Sequence, residues 1–257
     1  MVHFRYDILL KDNLKKEVNE MDFDENGLVA WELNAEFWDN YMGDESNYFH
    51  RDLVRPSVEK LMDINQNDFV LDIACGNGNY SERMAKQGAK VIAFDYSNKM
   101  IELAIKRRKD ILDKVEFIVC DATKYDDVIK LKRDRLFTKA VANMAIMDIS
   151  KIAPLFKAVY DMLEQEGIFV FATHHPCFTY ENDDYFTSCI NKGIAVKGQP
   201  SLQNYYHRSI ADIFNVAFDT GFCIDGFYEI PFRDEKVPII MIVRLTKKYV
   251  ASSKENN

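Results

Sequence analysis

Between residues 69 and 172 the chain alternates short apolar runs with stretches of helical spacing, and this alternation constrains the fold most. The apolar runs are 69–74, 90–94, 115–119, 136–143 and 168–172. Tyr80 and Met84 stand i, i+4 after the first. Ser97 caps a helix with Ile101, Ala104 and Ile105 on one face after the second, and a helix over 150–163 precedes the last. Strands separated by helices pair in parallel through right-handed crossovers, with both sheet faces covered. The end of the chain differs. A helix over 208–220 leads to runs 222–230 and 237–245 with only a short loop between them, so these two must pair antiparallel or not at all. The expected fold is therefore α/β and Rossmann-like: a mostly parallel sheet with one antiparallel strand and helices on both faces.

Upstream, 28–41 and 51–62 read as helices, the first rich in aromatics. We read residues 1–50 as an extension carrying a small helical cap or lid, and 51–250 as the main domain, with an insertion at 175–205. A gap that long is a functional loop or a cap, and it leaves the sheet at its carboxyl edge, where open α/β sheets bind ligands. The tail 252–257 is expected to fray.

Composition narrows the class. Of 257 residues, 47% are hydrophobic, enough for one large core, and the formal net charge of −8 disfavours nucleic acid as a partner. The densest basic run, Lys106-Arg107-Arg108-Lys109, reads as a solvated helix end. Five cysteines without a C-x-x-C spacing indicate neither a disulfide framework nor a structural zinc site. No apolar run approaches the roughly 20 residues of a membrane span, and the opening MVHFRYDILLKDN is too polar for a signal peptide. A cytoplasmic protein is expected, with no membrane partner and no indication of oligomeric state.

The chemistry sits where strands end. In Val70-Leu71-Asp72-Ile73-Ala74-Cys75-Gly76-Asn77-Gly78-Asn79-Tyr80-Ser81, Gly76 and Gly78 let the backbone turn tightly and approach a ligand. A dinucleotide loop wants a third glycine where Ser81 stands, and no charge where Asp72 stands. A carboxylate there suits a cation better than a diphosphate, and S-adenosylmethionine carries an ammonium and a sulfonium but no phosphate. Asp95, at the end of the second run, is placed to accept both ribose hydroxyls, as it would for a nicotinamide dinucleotide. Tyr96 and Met100 pack either against an adenine or in the core. Asp121, after the third run, is placed to accept an adenine amine.

These segments, VLDIACGNGNYS, VIAFDYSNKMIELA, FIVCDATKY and AVANMAIMDIS, resemble in order the motifs of class I S-adenosylmethionine-dependent methyltransferases. With FVFATHHPCF, the last two of them resemble a group of bacterial small-molecule methyltransferases. The resemblance implies a seven-stranded sheet with an inserted antiparallel last strand. It implies that Asp72 and the loop Ala74, Cys75, Gly76 and Gly78 adjoin the methionine part, that Asp95 holds the ribose, that Asp121 and Ala122 meet the adenine, and that Asn143 faces the cofactor. Two departures stand out. Ala74 replaces the loop's first glycine, and Glu164-Gln165-Glu166-Gly167 replaces a proline-glycine-glycine turn.

For catalysis, His174 and His175 end the fifth run, and in such a pair one ring faces the site while the other turns away. They are the candidates for a general base or for orienting groups. Asn143, where metal-assisted catechol-type enzymes place a carboxylate, argues for no metal. Asn143-Met144-Ala145-Ile146 lacks the N/D-P-P-Y/F pattern of enzymes that methylate nucleobase amino groups. The expected acceptor is a small molecule reached through 175–205. Tyr41, His50 and Tyr205-Tyr206-His207 are lid candidates. Trp31, Phe37 and Trp38 read first as helix packing, and Arg51 or Arg55 as a partner for the methionine carboxylate or a surface ion pair. A nicotinamide oxidoreductase, disfavoured by Asp72 and Ser81, and a non-catalytic S-adenosylmethionine-binding protein are the alternatives.

Overall fold

The computed structural model describes residues 20–179, 184–232 and 236–248. Residues 1–19 of the expected extension and the tail 252–257 lie outside them. The elements in chain order are α1 (Glu20–Met42), α2 (Arg55–Met62), β1 (Phe69–Ile73), α3 (Asn79–Lys86), β2 (Lys90–Asp95), α4 (Asn98–Arg107), β3 (Val115–Val119), α5 (Tyr125–Val128), β4 (Phe137–Asn143), α6 (Ile152–Met162), β5 (Leu163–His174), α7 (Pro176–Thr179), β6 (Cys189–Gly193), β7 (Gln203–His207), α8 (Ile210–Thr220), β8 (Cys223–Pro231) and β9 (Pro238–Thr246).

The seven-stranded sheet runs β3-β2-β1-β4-β5-β9-β8. The first five strands pair in parallel, and β9 lies antiparallel to both β5 and β8. The fold read from the alternation of elements is therefore the observed one. Strand residues divide between two cores because successive side chains point to opposite faces. Leu71 and Ile73 pack with Leu155, Phe156 and Val159 of α6 and Ala217 of α8. Val70 packs on the other face with Val58 and Met62 of α2 and Met84 of α3. Phe156, Phe169 and Phe171 are fully buried and in mutual ring contact, each contributing roughly 1.5–3 kcal/mol by burial.

Four local expectations are corrected or sharpened. The helix expected over 51–62 is a π-helical turn, Phe49–Val54, followed by α2. Pro56 lacks an N–H and cannot continue the hydrogen-bond ladder through that point. The fifth strand begins at Leu163, where Glu166 takes a left-handed φ of 61°. Lys247 then exchanges backbone bonds with Glu166 and Gly167, so the last strand anchors this turn. Residues 175–205, expected as a functional loop or a cap, gain definite elements: they carry α7 and most of a hairpin, β6 paired with β7, that forms its own two-stranded sheet. The basic run is solvated only at Lys106 and Lys109. Arg108 is 3% exposed, and Arg107 is bound to Asp39 and Asp44.

The strand order reverses between β1 and β4, so their carboxyl ends diverge and leave a crevice, the usual ligand position in open α/β sheets. Helix α1 packs beside α4 and the hairpin closes from the other side.

Candidate active site

The crevice has two connected lobes. The larger is lined by Asp72, Cys75, Met100, Asn143 and His174 from the sheet edge, Arg55 from α2, Trp38 and Tyr41 from α1, and Gln203 and Tyr205 from β7. The smaller is lined by Asp95, Tyr96, Cys120, Asp121 and Ala122. Trp31, Ala74, Gly76, Met144 and Asp148 line both.

The β1–α3 loop is shaped by left-handed backbone. Ala74, Gly76 and Gly78 have φ of 52°, 55° and 73°. A Cβ on Gly76 would meet nothing within 4 Å, so its bare backbone faces open crevice. Gly78 serves packing instead: a Cβ there would stand 2.8 Å from the Phe117 ring, and the residue lines neither lobe. Cys75 N–H donates to the Phe94 carbonyl at 2.9 Å and Gly76 N–H to Asp95 Oδ2 at 3.0 Å, which ties the loop to β2. Asp95 Oδ1 accepts from Ser97 N–H at 3.0 Å. Each Asp95 oxygen thus keeps acceptor capacity toward the smaller lobe.

Asp72 is 1% exposed and accepts from the Ser81 hydroxyl at 2.5 Å. Burial pushes its carboxyl up to about 7, with Ser81 opposing and the Asp95 charge adding. Burial, with help from Asp95, raises Asp148 well above the ordinary carboxylate range. Asp121 goes the other way: hydrogen bonds from Thr123 and Lys124 outweigh burial and lower it. Four carboxyls therefore line the crevice, while Arg55 is the one lysine or arginine among its described lining residues. Such a set favours a ligand with positive charge.

The two histidines separate. His174 lines the larger lobe, its ring 5.6 Å from Tyr205 and 6.2 Å from Phe178. His175 lines neither lobe: its Nε2 pairs with Glu229 at 2.9 Å, and its Nδ1 accepts from Cys177 N–H. Burial holds His174 down to about 4. His50, which faces the same lobe, is also held at about 4, by burial and then by His174 and Arg55. Both rings are neutral near pH 7.

The rest of the sequence-derived set divides plainly. Asn143 faces the larger lobe with a buried Oδ1 that has no hydrogen-bond partner among the described residues. Met100, expected beside a base, lines the larger lobe, whereas Tyr96 lines the smaller. Arg51 makes a surface pair with Asp52, and Arg55 faces the crevice. Of the lid candidates, Tyr41, His50 and Tyr205 line the larger lobe and Tyr206 the smaller, while His207 meets the Tyr185 carbonyl. Trp31 and Trp38, read first as packing, face the crevice with rings 6.2 Å apart.

Sequence reasoning missed how α1 is fastened. Asp39 accepts from Arg107 Nε and Nη2, both at 2.6 Å, and from Asn77 Nδ2 at 3.0 Å. Asn79 and Arg108 donate to the Gly43 carbonyl. The glycine loop's two asparagines are thus clasps for α1, a role their position inside the motif only hinted at. Asn34 and Ser201 exchange two bonds of 2.8 and 2.9 Å, joining α1 to the hairpin. Asp148 and Gln203 were also missed. Gln203 is 2% exposed; its Oε1 accepts from the Tyr205 hydroxyl, and its Nε2 has no partner among the described residues.

A seven-stranded sheet with β9 inserted antiparallel, and an acidic crevice at its switch point, is the class I S-adenosylmethionine-dependent methyltransferase fold anticipated from the motifs. The sequence pattern of the family described as Methyltransferase domain matches residues 64–213, and the chain belongs to that family. An S-adenosylmethionine-dependent methyltransferase of Mesorhizobium loti has a similar fold, with TM-score 0.62 and 21% identity over 74% of this chain and 96% of that one. A 1,6-didemethyltoxoflavin-N1-methyltransferase of Burkholderia thailandensis, solved with its namesake compound and S-adenosylhomocysteine, gives 0.57 and 16% over 86% and 89%. A 23S rRNA (uracil-C5)-methyltransferase of Legionella pneumophila is 29% identical over 106 residues, 41% of this chain and 23% of that protein. The chain spans about half or less of the length of the curated relatives it matches. No helix among the described residues is long and apolar enough to cross a membrane.

Proposed function

We propose that this methyltransferase uses S-adenosylmethionine to methylate a small molecule held beneath α1 and the β6–β7 hairpin. The observation that carries the reading is the lining of the crevice: among the described residues, four carboxyls, one guanidinium and a bare Gly76 backbone, a set in which a bound cation draws Asp72 and Asp148 into the charged form. The set fits the cofactor part by part. Asp95 keeps acceptor capacity for ribose hydroxyls; Asp121 and Ala122 stand where the adenine belongs, with Tyr96 beside them. Arg55 is available to the carboxylate of the methionine part, and Asp72 to its ammonium.

When bound, the cofactor supplies a methyl carbon already activated by its sulfonium. The protein's own tasks are to align the acceptor, exclude water and take its proton. Alignment of two reactants in near-attack geometry supplies about 7–11 kcal/mol. The hairpin and α1 wall the larger lobe. His174, Tyr205 and Phe178 offer an aromatic wall, and Gln203 Nε2 an unpaired donor for a polar atom of the acceptor. Neutral His174 is ready to accept a proton. Held near 4, it is a weak base that serves an acceptor whose proton methylation makes strongly acidic, such as a hydroxyl, and otherwise orients the acceptor.

A lobe walled by α1 and the hairpin and a net charge of −8 favour a small acceptor over RNA. The five free thiols suit a reducing compartment such as the cytosol. The test is incubation with methyl-labelled S-adenosylmethionine and a fractionated cell extract. Label should pass to a small-molecule fraction and not to RNA or protein. Label found only in RNA would overturn the acceptor assignment. Thermal stabilisation by NAD but not by S-adenosylhomocysteine would overturn the whole reading.

A further inference from the structure

The lobes meet at Trp31, Ala74, Gly76, Met144 and Asp148, which line both. Among these five, Asp148 is the carboxylate and Trp31 the aromatic ring. Asp148 Oδ1 is fully buried and has no hydrogen-bond partner among the described residues. A buried acceptor without a partner costs free energy unless a ligand supplies one. The group is also held in place. Met144 takes a left-handed φ of 57°, and its N–H bonds the Ala172 carbonyl, which fixes the exit from β4. Asp148 N–H closes on the Ala145 carbonyl, and Arg208 Nη2 binds the carbonyls of Ile149 and Ser150, each at 2.6 Å. The Arg208 guanidinium is thus turned to backbone just beyond Asp148. Asp95 and Asp72 stand on the β2 and β1 sides of the crevice.

This inference rests on the cofactor reading above, in which the adenosyl part takes the smaller lobe and the methionine part the larger. The sulfur is bonded to both parts, so it lies where the lobes join. We propose that Asp148 and Trp31 form a cation site for the sulfonium, which makes the crevice favour the charged methyl donor over the neutral thioether it becomes. Burial favours the protonated Asp148 in the empty crevice, and a bound sulfonium draws out the carboxylate, which then supplies Coulomb attraction in a poorly solvated place, while the indole face supplies a cation–π contact. Loss of the methyl group removes the charge that both recognise, so methyl transfer itself loosens the spent cofactor.

The test is calorimetry on the whole protein with S-adenosylmethionine, S-adenosylhomocysteine and sinefungin, which carries an ammonium in place of the sulfonium. The quantity read is the affinity ratio of each cationic ligand to the neutral thioether. Asp148→Asn should lower both ratios about tenfold and Trp31→Leu about threefold, with S-adenosylhomocysteine affinity kept within about twofold. Retained thioether binding shows that each variant is folded. Ratios unchanged in Asp148→Asn overturn the cation site, and so does an equal loss for all three ligands, which marks a shape effect. If the wild type binds none of the three, the cofactor reading itself falls.

Discussion

Gly76 and Trp31 look into the same crevice from walls built in opposite ways. The glycine-loop wall is local: strand, turn and helix N-terminus follow within residues 69–86, fixed by left-handed φ at Ala74, Gly76 and Gly78 and by bonds to the neighbouring strand. The α1 wall is assembled at long range. Its bonds join Asp39 to Asn77 and Arg107, 38 and 68 positions away, and Asn34 to Ser201, 167 positions away. The first wall is set by backbone geometry and is rigid by construction. The second depends on ion pairs and amide contacts between segments far apart in the chain. Such contacts are expected to open together, which would make α1 a separable cover over the crevice.

The sharpest way to break this contrast is to attack each wall separately. Asp95→Ala removes the proposed ribose acceptor and strips partners from Gly76 and Ser97 N–H, so S-adenosylmethionine affinity should fall about 100-fold by calorimetry. Arg107→Ala should cost about tenfold in affinity, because Asp39 loses its main partner and the indoles of α1 lose their seat. Faster amide exchange confined to residues 28–42 would accompany it. Equal exchange throughout the chain would contradict the separable cover.

The acidic floor predicts a pH effect. In the empty protein Asp72 holds its proton up to about 7 and must lose it to face a cationic ligand. S-adenosylmethionine affinity should therefore rise about tenfold between pH 5 and 7 and level off above, with a flat profile in Asp72→Asn. For folding without ligand the sign is opposite. Between the ordinary value of 3.8 and about 7 the folded chain keeps a proton that the unfolded chain has lost, so this group's contribution to stability declines as pH rises through that window. His174 and His50, at about 4 against 6.5 unfolded, work the other way: stability they contribute at neutral pH is lost as pH falls from about 6.5 to 4. His174→Phe should accordingly lessen acid sensitivity in chemical denaturation.

The smallest effect concerns Ala74. A non-glycine residue at φ 52° carries about 1–2 kcal/mol of strain, and glycine's extra unfolded-state entropy offsets about 0.5–1 of it. Ala74→Gly should raise the melting temperature by about 3 °C or less and leave cofactor affinity unchanged.

The same contrast explains what could be read from the residues alone. The strand ends that carry Asp72, Asp95, Asp121 and Asn143 are encoded by short apolar runs followed by polar punctuation, so the sheet and the cofactor wall were legible. The fate of Arg107 and Arg108 was not, since a basic helix end looks the same whether it meets water or a distant carboxylate. Periodicity also could not show that Trp31 and Trp38 turn toward a crevice, because a helix buries an aromatic face equally against a core or a ligand pocket. Asp148 hid among apolar neighbours in a single 3-10 turn, Ile146–Asp148, with no pattern to mark it. The hairpin 189–207 was masked by its polar composition, Gln203-Asn204-Tyr205-Tyr206-His207 being paired despite few β-branched residues.

The central claim is that one acidic crevice seats a cationic sulfur nucleoside across Gly76. A crystal structure grown with S-adenosylhomocysteine tests it most directly. The account predicts the ribose on Asp95, the sulfur between Trp31 and Asp148, and the amino-acid end toward Asp72 and Arg55. Density for the nucleoside elsewhere, or a ribose turned away from Asp95, would contradict it.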